Sequence, residues 1–525
     1  MRINLERRAT FPLQPVFEPT TAESQPTSYP STPPQLTTAK IPWRPRTFAE
    51  SDVSEMRHEM HNRKVLSSLL ALTVGSSLIA GCSGGSSLNT NSNSTSPTGA
   101  SFVIGTDAPM ASVVSFSVQV ESVDAFTSGD CSGTSVSLVS GTPTVDFARF
   151  NGLQTLLDMN DVQAGTYNCV QVTLGAATIG YLDTTAGEPT IQTETATLST
   201  NTVTATLTNP MVVAQNGSPV GIHLDFDLHK SIQVDSNGNI TPDVIPTFNI
   251  KAVNNSDPGA YIDEFDAAVL TADPNTNSFT IQGPHGRQFT VNVNGQTEWD
   301  GSATLSGLNS NSIVQVSGFL DRADATIDAD EVAVLSDSGF YASGQVSYVN
   351  PSSGPANSFD LYVRGTLPAN TGVSDGNIAT VDLSGNERYS IYWMHGPLAQ
   401  FLFNRSALLP GQHVAVGGPA TGAANASAVT VNRVVLRNWG FNGTVVPGSE
   451  NAGNDTFQMK VNGFAGVLIP ETVTVYITND TVFRDGYSGM VDVMDNDKVR
   501  VVGLLLKDPV SGNAVIVGHY VDDMD

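Results

Sequence analysis

Beyond about residue 100, apolar and polar residues alternate in short stretches, and Gly, Asn, Pro or Ser bounds each stretch. This period of two is typical of half-buried β-strands. The apolar positions of one such stretch are Val113, Phe116, Val118, Val120 and Val123. We therefore predict an all-β protein whose first domain, residues 101–253, is a β-sandwich.

One stretch of this first domain departs from the alternation. Between Asp146 and Asp158 the apolar residues lie three or four positions apart. They are Phe147, Phe150, Leu153, Leu156 and Leu157. Because such spacings place side chains on one face of a helix, the stretch predicts one short helix or turn against the sheet.

The second half of the chain shows weak self-similarity in three units, residues 258–337, 338–437 and 438–525. Each unit has a strand centred on Phe279, Phe359 or Phe457, then a valine-rich strand that ends in Gly, then a short closing strand. The valine-rich strands are predicted at residues 313–318, 413–417 and 498–503, and the closing strands at 329–335, 428–436 and 514–521. Five or six short strands per unit favour a small closed barrel, which leaves no exposed sheet edge.

Length and charge narrow the class of protein. A chain of 525 residues exceeds one hydrophobic core, so several domains are expected. Residues 1–81 hold nine basic and seven acidic side chains, which leaves 15 basic and 43 acidic residues afterwards, a net charge near −28. Such a balance repels polyphosphate, and the Lys and Arg residues are scattered, so nucleic acid is not an expected partner.

An export signal precedes the predicted domains. Basic residues at 57, 63 and 64 are followed by an apolar run from Val65 to Ile79 and then by Ala80, Gly81 and Cys82. That run has 15 residues, fewer than the roughly 20 that a membrane-spanning helix needs. We therefore predict that residues 56–81 are a signal peptide, which is removed.

The segment before this signal, residues 1–55, is rich in Pro, Thr and Ser and lacks apolar periodicity, so disorder is expected. Signal peptides normally begin the chain. We predict that translation starts at Met56 or Met60, and a peptide from residues 1–50 in the precursor would contradict this.

The stretch Ile79-Ala80-Gly81-Cys82 resembles the lipobox of bacterial lipoproteins. The resemblance implies cleavage just before Cys82, a lipid on its thiol and attachment to a membrane. Residues 82–100, rich in Ser, Gly, Asn and Thr, fit a flexible tether. Ser83, in place of the Asp that marks inner-membrane retention, implies the outer membrane. The alternative is an ordinary signal peptide with a chance Cys.

Two further cysteines, Cys131 and Cys169, fall in the first domain. In an oxidising compartment they predict a disulfide. Two free buried thiols are the alternative. No Cys-x-x-Cys pair indicates a thiol redox site.

The sequence predicts no metal site and no cofactor. The eight histidines lack the spacing of a ligand set. Two acidic clusters, within residues 321–330 and 492–497, depart from the spaced loop of a calcium site. Solvated acidic turns are the preferred interpretation of both clusters, with calcium as the alternative.

Three motifs of the first domain resemble a known family. They are Asp107-Ala108-Pro109, Ala164-Gly165-Thr166-Tyr167 and Leu224-Asp225-Phe226-Asp227. In this order they resemble the bacterial lipoprotein family called domain of unknown function 4382, over about residues 101–253. The resemblance implies an immunoglobulin-like or transthyretin-like sandwich and no established role. By itself the second motif predicts a tight turn in which Gly165 adopts a conformation that is unfavourable for other residues. It also predicts that Tyr167 packs against the core.

The repeated units are similar to a second family. Gly344-Gln345-Val346 and Gly443-Thr444-Val445 keep its opening motif, and Leu409 to Gly417 keeps much of its core. They resemble the barrel-like domain of unknown function 5666 of bacterial envelope proteins. The second unit keeps most of the pattern.

Two groups of residues are candidate binding sites. Alternation places Asp225 and Asp227 on one strand face, where they could pair with Lys230 or bind a polar ligand. Glycoside hydrolysis also uses paired carboxylates, but across a cleft, which two residues of one flat strand do not form. A structural salt bridge is therefore the preferred interpretation.

The second candidate is the stretch from Tyr389 to Phe403, which contains Tyr392, Trp393 and His395. It is the most aromatic and least repeat-like part of the second half. Aromatic residues elsewhere in the units, Trp299, Tyr476 and Tyr487, could stack on sugar rings, but burial inside a barrel is the preferred interpretation.

No enzyme signature is present: the chain lacks a Gly-x-Ser-x-Gly elbow, a Gly-rich phosphate loop and a paired-His metalloprotease motif. The leading hypothesis is a non-enzymatic envelope lipoprotein whose modules bind glycans or other envelope proteins. A structural spacer without a ligand is the second hypothesis, and an unrecognised polysaccharide hydrolase is the third.

Overall fold

The computed structural model describes residues 97–525 apart from residues 109, 184–189, 284–287, 301–302, 323–325, 369–372, 392–400, 420–427, 452, 470–471 and 525. Strands dominate throughout, so the predicted all-β class is confirmed. Neither of the two α-helices in the described part of the chain is long and apolar enough to cross a membrane.

The described residues of the first domain form thirteen strands and the short helix α1, Leu228–Ser231. Its strands are β1 Thr98–Ala108, β2 Val113–Phe126, β3 Ser135–Ser137, β4 Thr144–Asp146, β5 Thr155–Gln163, β6 Gly165–Asp183, β7 Thr190–Thr195, β8 Thr197–Leu198, β9 Thr202–Val213, β10 Val220–Asp227, β11 Ile232–Val234, β12 Ile240–Val244 and β13 Phe248–Asn254.

Two sheets face each other in this domain. One has the order β13-β10-β1-β5, with β1 and β10 parallel, and the other has the order β3-β2-β6-β7, with β4 paired to β2 and β9 to β6. A small third sheet has the order β11-β12-β8. Leu224 and Phe226 of β10 pack with Phe116 of β2 and Val170 of β6 in one buried core. The predicted sandwich is confirmed.

The predicted helix or turn within residues 146–158 is only partly helical. Phe147–Arg149 forms one turn of 3-10 helix, and Leu156 and Leu157 already belong to β5. Asn151 and Gly152 have φ angles of 45° and 86°. Their left-handed conformation ends the helical turn, because it cannot continue a right-handed helix.

Gly165 departs from its predicted role. It is the first residue of β6, where it pairs with Val213 of β9, and its φ is not positive. The prediction that it needs a glycine-specific conformation is therefore wrong. Tyr167 is buried as expected, and its hydroxyl donates a hydrogen bond to the Gln163 carbonyl.

The disulfide between Cys131 and Cys169 is present, with the two Cα atoms 5.2 Å apart. It ties the loop after β2 to the long strand β6. The predicted pairing is confirmed.

In the second half of the chain the described residues form three further sheets. The helix α2, Gly463–Leu468, connects two strands of the third of these sheets. The first has β14 Ile262–Asp273, β15 Ser278–Gln282, β16 Gln288–Asn292, β17 Glu298–Trp299, β18 Ile313–Arg322 and β19 Thr326–Ser336. The second has β20 Gly339–Asn350, β21 Ser358–Leu367, β22 Ile378–Asp382, β23 Arg388–Ile391, β24 His413–Pro419, β25 Ala428–Thr430 and β26 Arg433–Leu436. The third has β27 Trp439–Val445, β28 Thr456–Val461, β29 Thr472–Tyr476, β30 Val482–Arg484, β31 Lys498–Lys507 and β32 Ala514–Asp523.

These sheets share one topology. In the first, β14, β15, β16, β19 and β18 pair in a closed ring, with β16 and β19 parallel. In the third, β27, β28, β29, β32 and β31 close in the same order. In the second, β25 and β26 together take the place of the last strand. Phe279, Phe359 and Phe457 are all buried, one in each core, as their repeated position predicts.

The modules pack closely on one another. Phe102 and Ile104, on the outer side of β1, share a core with the first barrel. Leu335 of the first barrel packs with Tyr341 of the second, and Leu504 of the third lies in the core of the second. Residues 92–525 accordingly form one compact unit.

A buried ion-pair network also joins the modules. Arg437, which follows β26, is 1% exposed and lies 2.7 Å from Glu264 and 3.1 Å from Asp266 of the first barrel. Asp266 also pairs with Arg149 of the first domain at 3.0 Å, and Tyr341 donates its hydroxyl to the same carboxylate. Burial opposes the ionised form, but Arg437 and Arg149 hold the pKa of Asp266 below its usual value.

Candidate functional site

A cavity of about 570 Å³ opens where the first domain meets the first and third barrels. We call it the junction cleft. The first domain contributes β1, β10, β13 and the turn before β5, and the third barrel contributes residues around β30, β31 and β32. Its lining residues are Thr106, Asp107, Gly152, Gln154, His223, Asp225, Asn249, Lys251, Ser256, Gly259, Tyr261, Asp263, Phe319, Val482, Arg484, Asp485, Arg500 and Tyr520.

Strand alternation positions the polar floor of the cleft. In β10, Leu224 and Phe226 point into the sandwich core, so His223 and Asp225 face the other side. The neighbouring strands add polar partners, because Asp225 stands opposite Thr106 of β1 and Asn249 of β13. This face of the sheet therefore presents a polar row to the cleft.

Asp107, near the end of β1, is 2% exposed and stands opposite Phe226, so its side chain lies on the sheet face turned towards the sandwich core. Neither of its oxygens has a hydrogen-bond partner among the described residues. Burial raises the pKa of Asp107 well above its usual value, and the neighbouring charge of Asp225 raises it further, against the attraction of Arg500. The nearby N–H of Leu228 also favours the ionised form but forms no hydrogen bond of normal geometry.

Asp225 is less buried, but one of its oxygens, Oδ1, also lacks a hydrogen-bond partner in the part of the chain that the structure describes. Burial is the main cause that raises the pKa of Asp225, and repulsion from Asp227 adds to it. Burial and a neighbouring carboxylate thus disfavour the ionised form of each of these two residues.

His223 lies two positions before Asp225 in β10 and stands opposite Lys251 of β13. Burial lowers the pKa of His223 to about 4, and the charge of Lys251 contributes in the same direction. The imidazole is therefore neutral at physiological pH. Its Nδ1 has no hydrogen-bond partner within the described residues.

The third barrel supplies two arginines that are already paired. Arg484 contacts both oxygens of the buried Asp522, at 2.7 and 3.0 Å, and Arg500 donates to one of them at 2.6 Å. Arg500 also lies over Gly152, where an added Cβ would be 2.8 Å from its Nε. The glycine therefore allows the guanidinium to reach the wall of the cleft.

Asp263 forms the wall of the cleft on the side of the first barrel. It accepts hydrogen bonds from the Gln154 N–H at 2.8 Å and from the Tyr520 hydroxyl at 2.9 Å. Burial raises the pKa of Asp263 to about 6, although these donors and Arg484 oppose the shift. One carboxylate thus links the first domain, the first barrel and the third barrel.

Asp225, Asp227 and Lys230, which the sequence groups as one candidate site, have different roles in the structure. Asp227 forms a salt bridge with Lys230 at 2.6 Å and accepts the Lys230 N–H at the start of α1. Asp225 takes no part in this pair and lines the cleft instead. The structural interpretation therefore holds for Asp227 and Lys230.

The aromatic candidates are only partly described. Tyr392, Trp393 and His395 lie outside the described residues, as does Cys82. At the edges of that stretch, Tyr389 packs edge-to-face on Phe403, with ring centres 5.6 Å apart.

The remaining aromatic residues behave as barrel side chains. Tyr487 is buried in the core of the third barrel, and Trp299 and Tyr476 pack against the cores of the first and second. None of these three residues is exposed. The expected burial is therefore confirmed for Tyr487, whereas Trp299 and Tyr476 are half-buried.

A second cavity, of about 560 Å³, lies between the first domain, the first barrel and β21. Its charged groups are mostly committed to structure. Arg149 pairs with Asp266, Asp146 accepts the Phe116 N–H at 2.8 Å, and Arg364 donates to Gln345 and to the Val114 carbonyl. The junction cleft is the stronger candidate because Asp225 keeps an oxygen without a hydrogen-bond partner among the described residues, although Asp263 of the same cleft is committed.

Within the described parts of the chain, no three His, Cys, Asp or Glu side chains are grouped as metal ligands would be. Acidic side chains of the two clusters have structural partners, in a local turn for Asp492 and between strands β16 and β19 for Asp328. Asp492 accepts from the Ser488 N–H at 2.7 Å, and Asp328 accepts from Asn292 at 3.0 Å.

Sequence reasoning found Asp225 but missed most of the cleft. Asp107 entered only as part of a family motif, and His223 only as one of the scattered histidines. Arg484 and Arg500 lie more than 250 positions further along the chain. A pattern within one module carries no signal for residues that another module supplies.

Comparison with known proteins agrees with both resemblances. Among curated proteins, the search gave no match. Residues 101–241 match the family model described as Domain of unknown function (DUF4382), and residues 268–333 match Domain of unknown function (DUF5666). The second match falls on the first barrel, although the second unit keeps more of the motif. The chain thus carries a DUF4382 domain followed by a DUF5666 domain.

Proposed function

We propose that this protein is a lipid-anchored, non-catalytic binding protein of the bacterial cell envelope, and that the junction cleft binds a small glycan. The signal and the lipobox-like stretch ending at Cys82 support the anchor, and Ser83 supports the outer membrane as its location. The cleft supports the binding role.

The observation that carries the binding role is Asp225 on the cleft face of β10, where its half-buried carboxylate has one oxygen, Oδ1, without a hydrogen-bond partner among the described residues. A buried polar group without a hydrogen bond costs free energy, and a buried charge costs more. Native proteins keep few such groups, and they concentrate where a ligand or reaction uses them. A ligand in the cleft would supply the missing partners.

The cleft also has a suitable size and lining. Its volume of about 570 Å³ falls within the range of roughly 300–1,000 Å³ for small-molecule sites. Asn249, Gln154 and His223 offer planar polar groups, while Tyr261 and Phe319, with ring centres 4.9 Å apart, offer apolar surface. Polar groups around an apolar wall suit a sugar ring.

Binding can be tested by calorimetry on the purified full-length protein with a panel of neutral and amino-containing mono- and disaccharides. We expect at least one to bind, and Asp225→Asn to weaken it by about tenfold or more, the loss of a hydrogen bond to a charged group. Asp243→Asn removes an equal charge from exposed β12, outside the cleft, and should leave the affinity unchanged.

Other outcomes would replace this proposal. Loss of binding in Trp393→Ala, with Asp225→Asn unaffected, would move the site to the 389–403 stretch. Binding of another envelope protein without any sugar would assign a protein partner. A spacer would bind nothing in the panel. Turnover of an envelope polysaccharide that Asp225→Asn abolishes would identify a hydrolase.

A further inference from the structure

A bulge in β14 brings two carboxylates to the outer surface of the first barrel. Ile262 and Phe265 both lie in the barrel core, although they are three positions apart, and the pairing with β18 shifts in register between them. A regular strand would place them on opposite faces. The extra residue is a β-bulge, which turns both intervening side chains, Asp263 and Glu264, outward. We call these two residues the junction bulge.

The junction bulge contacts all three other modules. Its two N–H groups donate to the Gln154 carbonyl of the first domain, at 2.9 and 3.2 Å. Glu264 pairs with Arg437, at the end of the second barrel, at 2.7 Å. The Tyr520 hydroxyl of the third barrel donates to Asp263 at 2.9 Å. Four modules therefore meet at two consecutive residues.

The carboxylate of Asp263 fits this contact in both of its protonation states. Asp263 is 6% exposed, and its Oδ2 accepts the Gln154 N–H while its Oδ1 accepts the Tyr520 hydroxyl. In the neutral acid, Oδ1 can donate to the Tyr520 oxygen instead, because a hydroxyl both donates and accepts, and Oδ2 keeps the Gln154 N–H. The two states therefore differ chiefly in the cost of burying a charge.

The groups that face Asp263 oppose this cost only in part. Arg484 attracts its charge, but Arg484 also contacts both oxygens of Asp522, which repels Asp263. The other charged or titratable groups that line the cleft or adjoin the junction bulge are His223, Asp225 and Lys251 of the first domain, Tyr261, Glu264 and Asp266 of the first barrel, Arg437 of the second, and Asp485, Arg500 and Tyr520 of the third. Opening the contact would return the charge of Asp263 to water.

We propose that Asp263 is a pH-sensitive contact between modules: its neutral form holds the first barrel against the first domain and the third barrel, and its ionisation makes these contacts easier to open. Burial raises the pKa of Asp263 to about 6 from the ordinary value of 3.8. By linkage, its stabilising contribution is complete below pH 3.8 and is lost as the pH rises through about 6. This inference does not depend on glycan binding.

Hydrogen–deuterium exchange of the full-length protein between pH 4 and pH 8, corrected for the intrinsic exchange rate, tests the proposal. The reporters are peptides that contain Gln154 or Asp263. We expect their protection to fall by about tenfold or more across this range. In Asp263→Asn the amide imitates the neutral acid, so protection should keep its acidic level throughout. Asp243→Asn, on exposed β12, should keep the wild-type pH dependence.

Tyr520→Phe provides an independent second test. The hydroxyl of Tyr520 lowers the pKa of Asp263, so its removal should move the midpoint of the loss of protection to higher pH. Circular dichroism establishes that each variant is folded, and if Asp263→Asn is not, the midpoint in Tyr520→Phe decides. The same pH dependence in wild type and Asp263→Asn would overturn the proposal, as would a midpoint in Tyr520→Phe that stays or moves to lower pH.

Discussion

Asp107 stands near the end of β1 with a carboxylate that is buried and has no hydrogen-bond partner among the described residues. Its raised pKa means that the folded protein binds this proton more tightly than the unfolded chain does. Linkage then requires that the ionised form lowers stability. The loss begins as the pH rises past the ordinary carboxyl pKa of 3.8 and continues until the pH passes the raised pKa.

We predict that Asp107→Asn stabilises the protein near neutral pH. Asn keeps the shape of the side chain but cannot ionise, so the desolvation cost of the charge disappears. The gain in melting temperature should be small at pH 4 and should grow toward pH 7. Thermal unfolding of both proteins across this range measures it. A variant less stable than wild type at pH 7 would contradict the assignment.

The charged and titratable groups around Asp107 also contribute to the pH dependence of the melting temperature. From the first domain these are Asp146, His223, Asp225 and Lys251, and from the barrels they are Tyr261, Asp263, Arg484, Asp485, Arg500 and Tyr520. Subtracting the wild-type curve from the variant curve isolates the part that depends on Asp107.

Asp158 provides the matched control. It is also a buried carboxylate on the same sheet, but it accepts hydrogen bonds from the Ser140 N–H, the Ser140 hydroxyl and the Met159 N–H, at 2.6 to 2.8 Å. Asp158→Asn disrupts these bonds and should lower stability by about 1–3 kcal/mol. Opposite signs for the two substitutions would show that partners, and not burial alone, decide the effect of a carboxylate.

The sequence identifies such residues but not their roles. Asp225 and Asp227 have the same chemistry and lie two positions apart, and alternation correctly places both on the face opposite Leu224. Their roles differ because α1 begins directly after Asp227, which gives that carboxylate a backbone N–H and Lys230 as partners. No comparable partner follows Asp225.

At the scale of elements, the disulfide connects the loop after β2 to the middle of the second sheet. Cys131 and Cys169 are 38 positions apart in sequence. Cross-linking a loop of that length stabilises the fold mainly by restricting the unfolded chain.

We predict that the double variant Cys131→Ser, Cys169→Ser loses on the order of 3–4 kcal/mol of stability. Chemical denaturation of both proteins measures the difference. Wild type treated with a reductant should lose a similar amount, whereas the double variant should not respond to the reductant. An unchanged midpoint in the variant would mean that the disulfide does not constrain the unfolded chain.

Elements were predictable where their signal is local and repeated. The strands around Phe279, Phe359 and Phe457 follow from alternation and from recurrence in three units. The extent of the helical turn after Asp146 did not follow, because its end depends on the left-handed conformations of Asn151 and Gly152. Gly152 is constrained by Arg500, a residue of the third barrel, so no local pattern indicates its role.

At the scale of the whole molecule, four modules are joined by shared cores and by buried charges. Arg437 shows this most clearly, since its guanidinium meets Glu264, Asp266 and Tyr341 of other strands. Burial opposes its charge, but the two carboxylates raise the pKa of Arg437 well above its usual value, so it remains charged. The network exists only when the modules are assembled.

We predict that Arg437→Met destabilises the protein by about 3–5 kcal/mol, because it leaves Glu264 and Asp266 buried without their main counter-charge. The midpoint of chemical unfolding measures this loss. Arg388→Met is the matched control, since Arg388 pairs with Asp337 at the surface, where its side chain is 58% exposed. Removing an exposed pair should cost about 0–1 kcal/mol.

The cause of the loss can be separated from the loss of packing. If uncompensated charge destabilises Arg437→Met, then adding Glu264→Gln and Asp266→Asn should recover part of the stability, because a neutral buried network has no charge to desolvate. If packing or the arginine's own hydrogen bonds dominate, the triple variant should be less stable than Arg437→Met. Equal stability of Arg437→Met and Arg388→Met would show that the buried network does not hold the modules together.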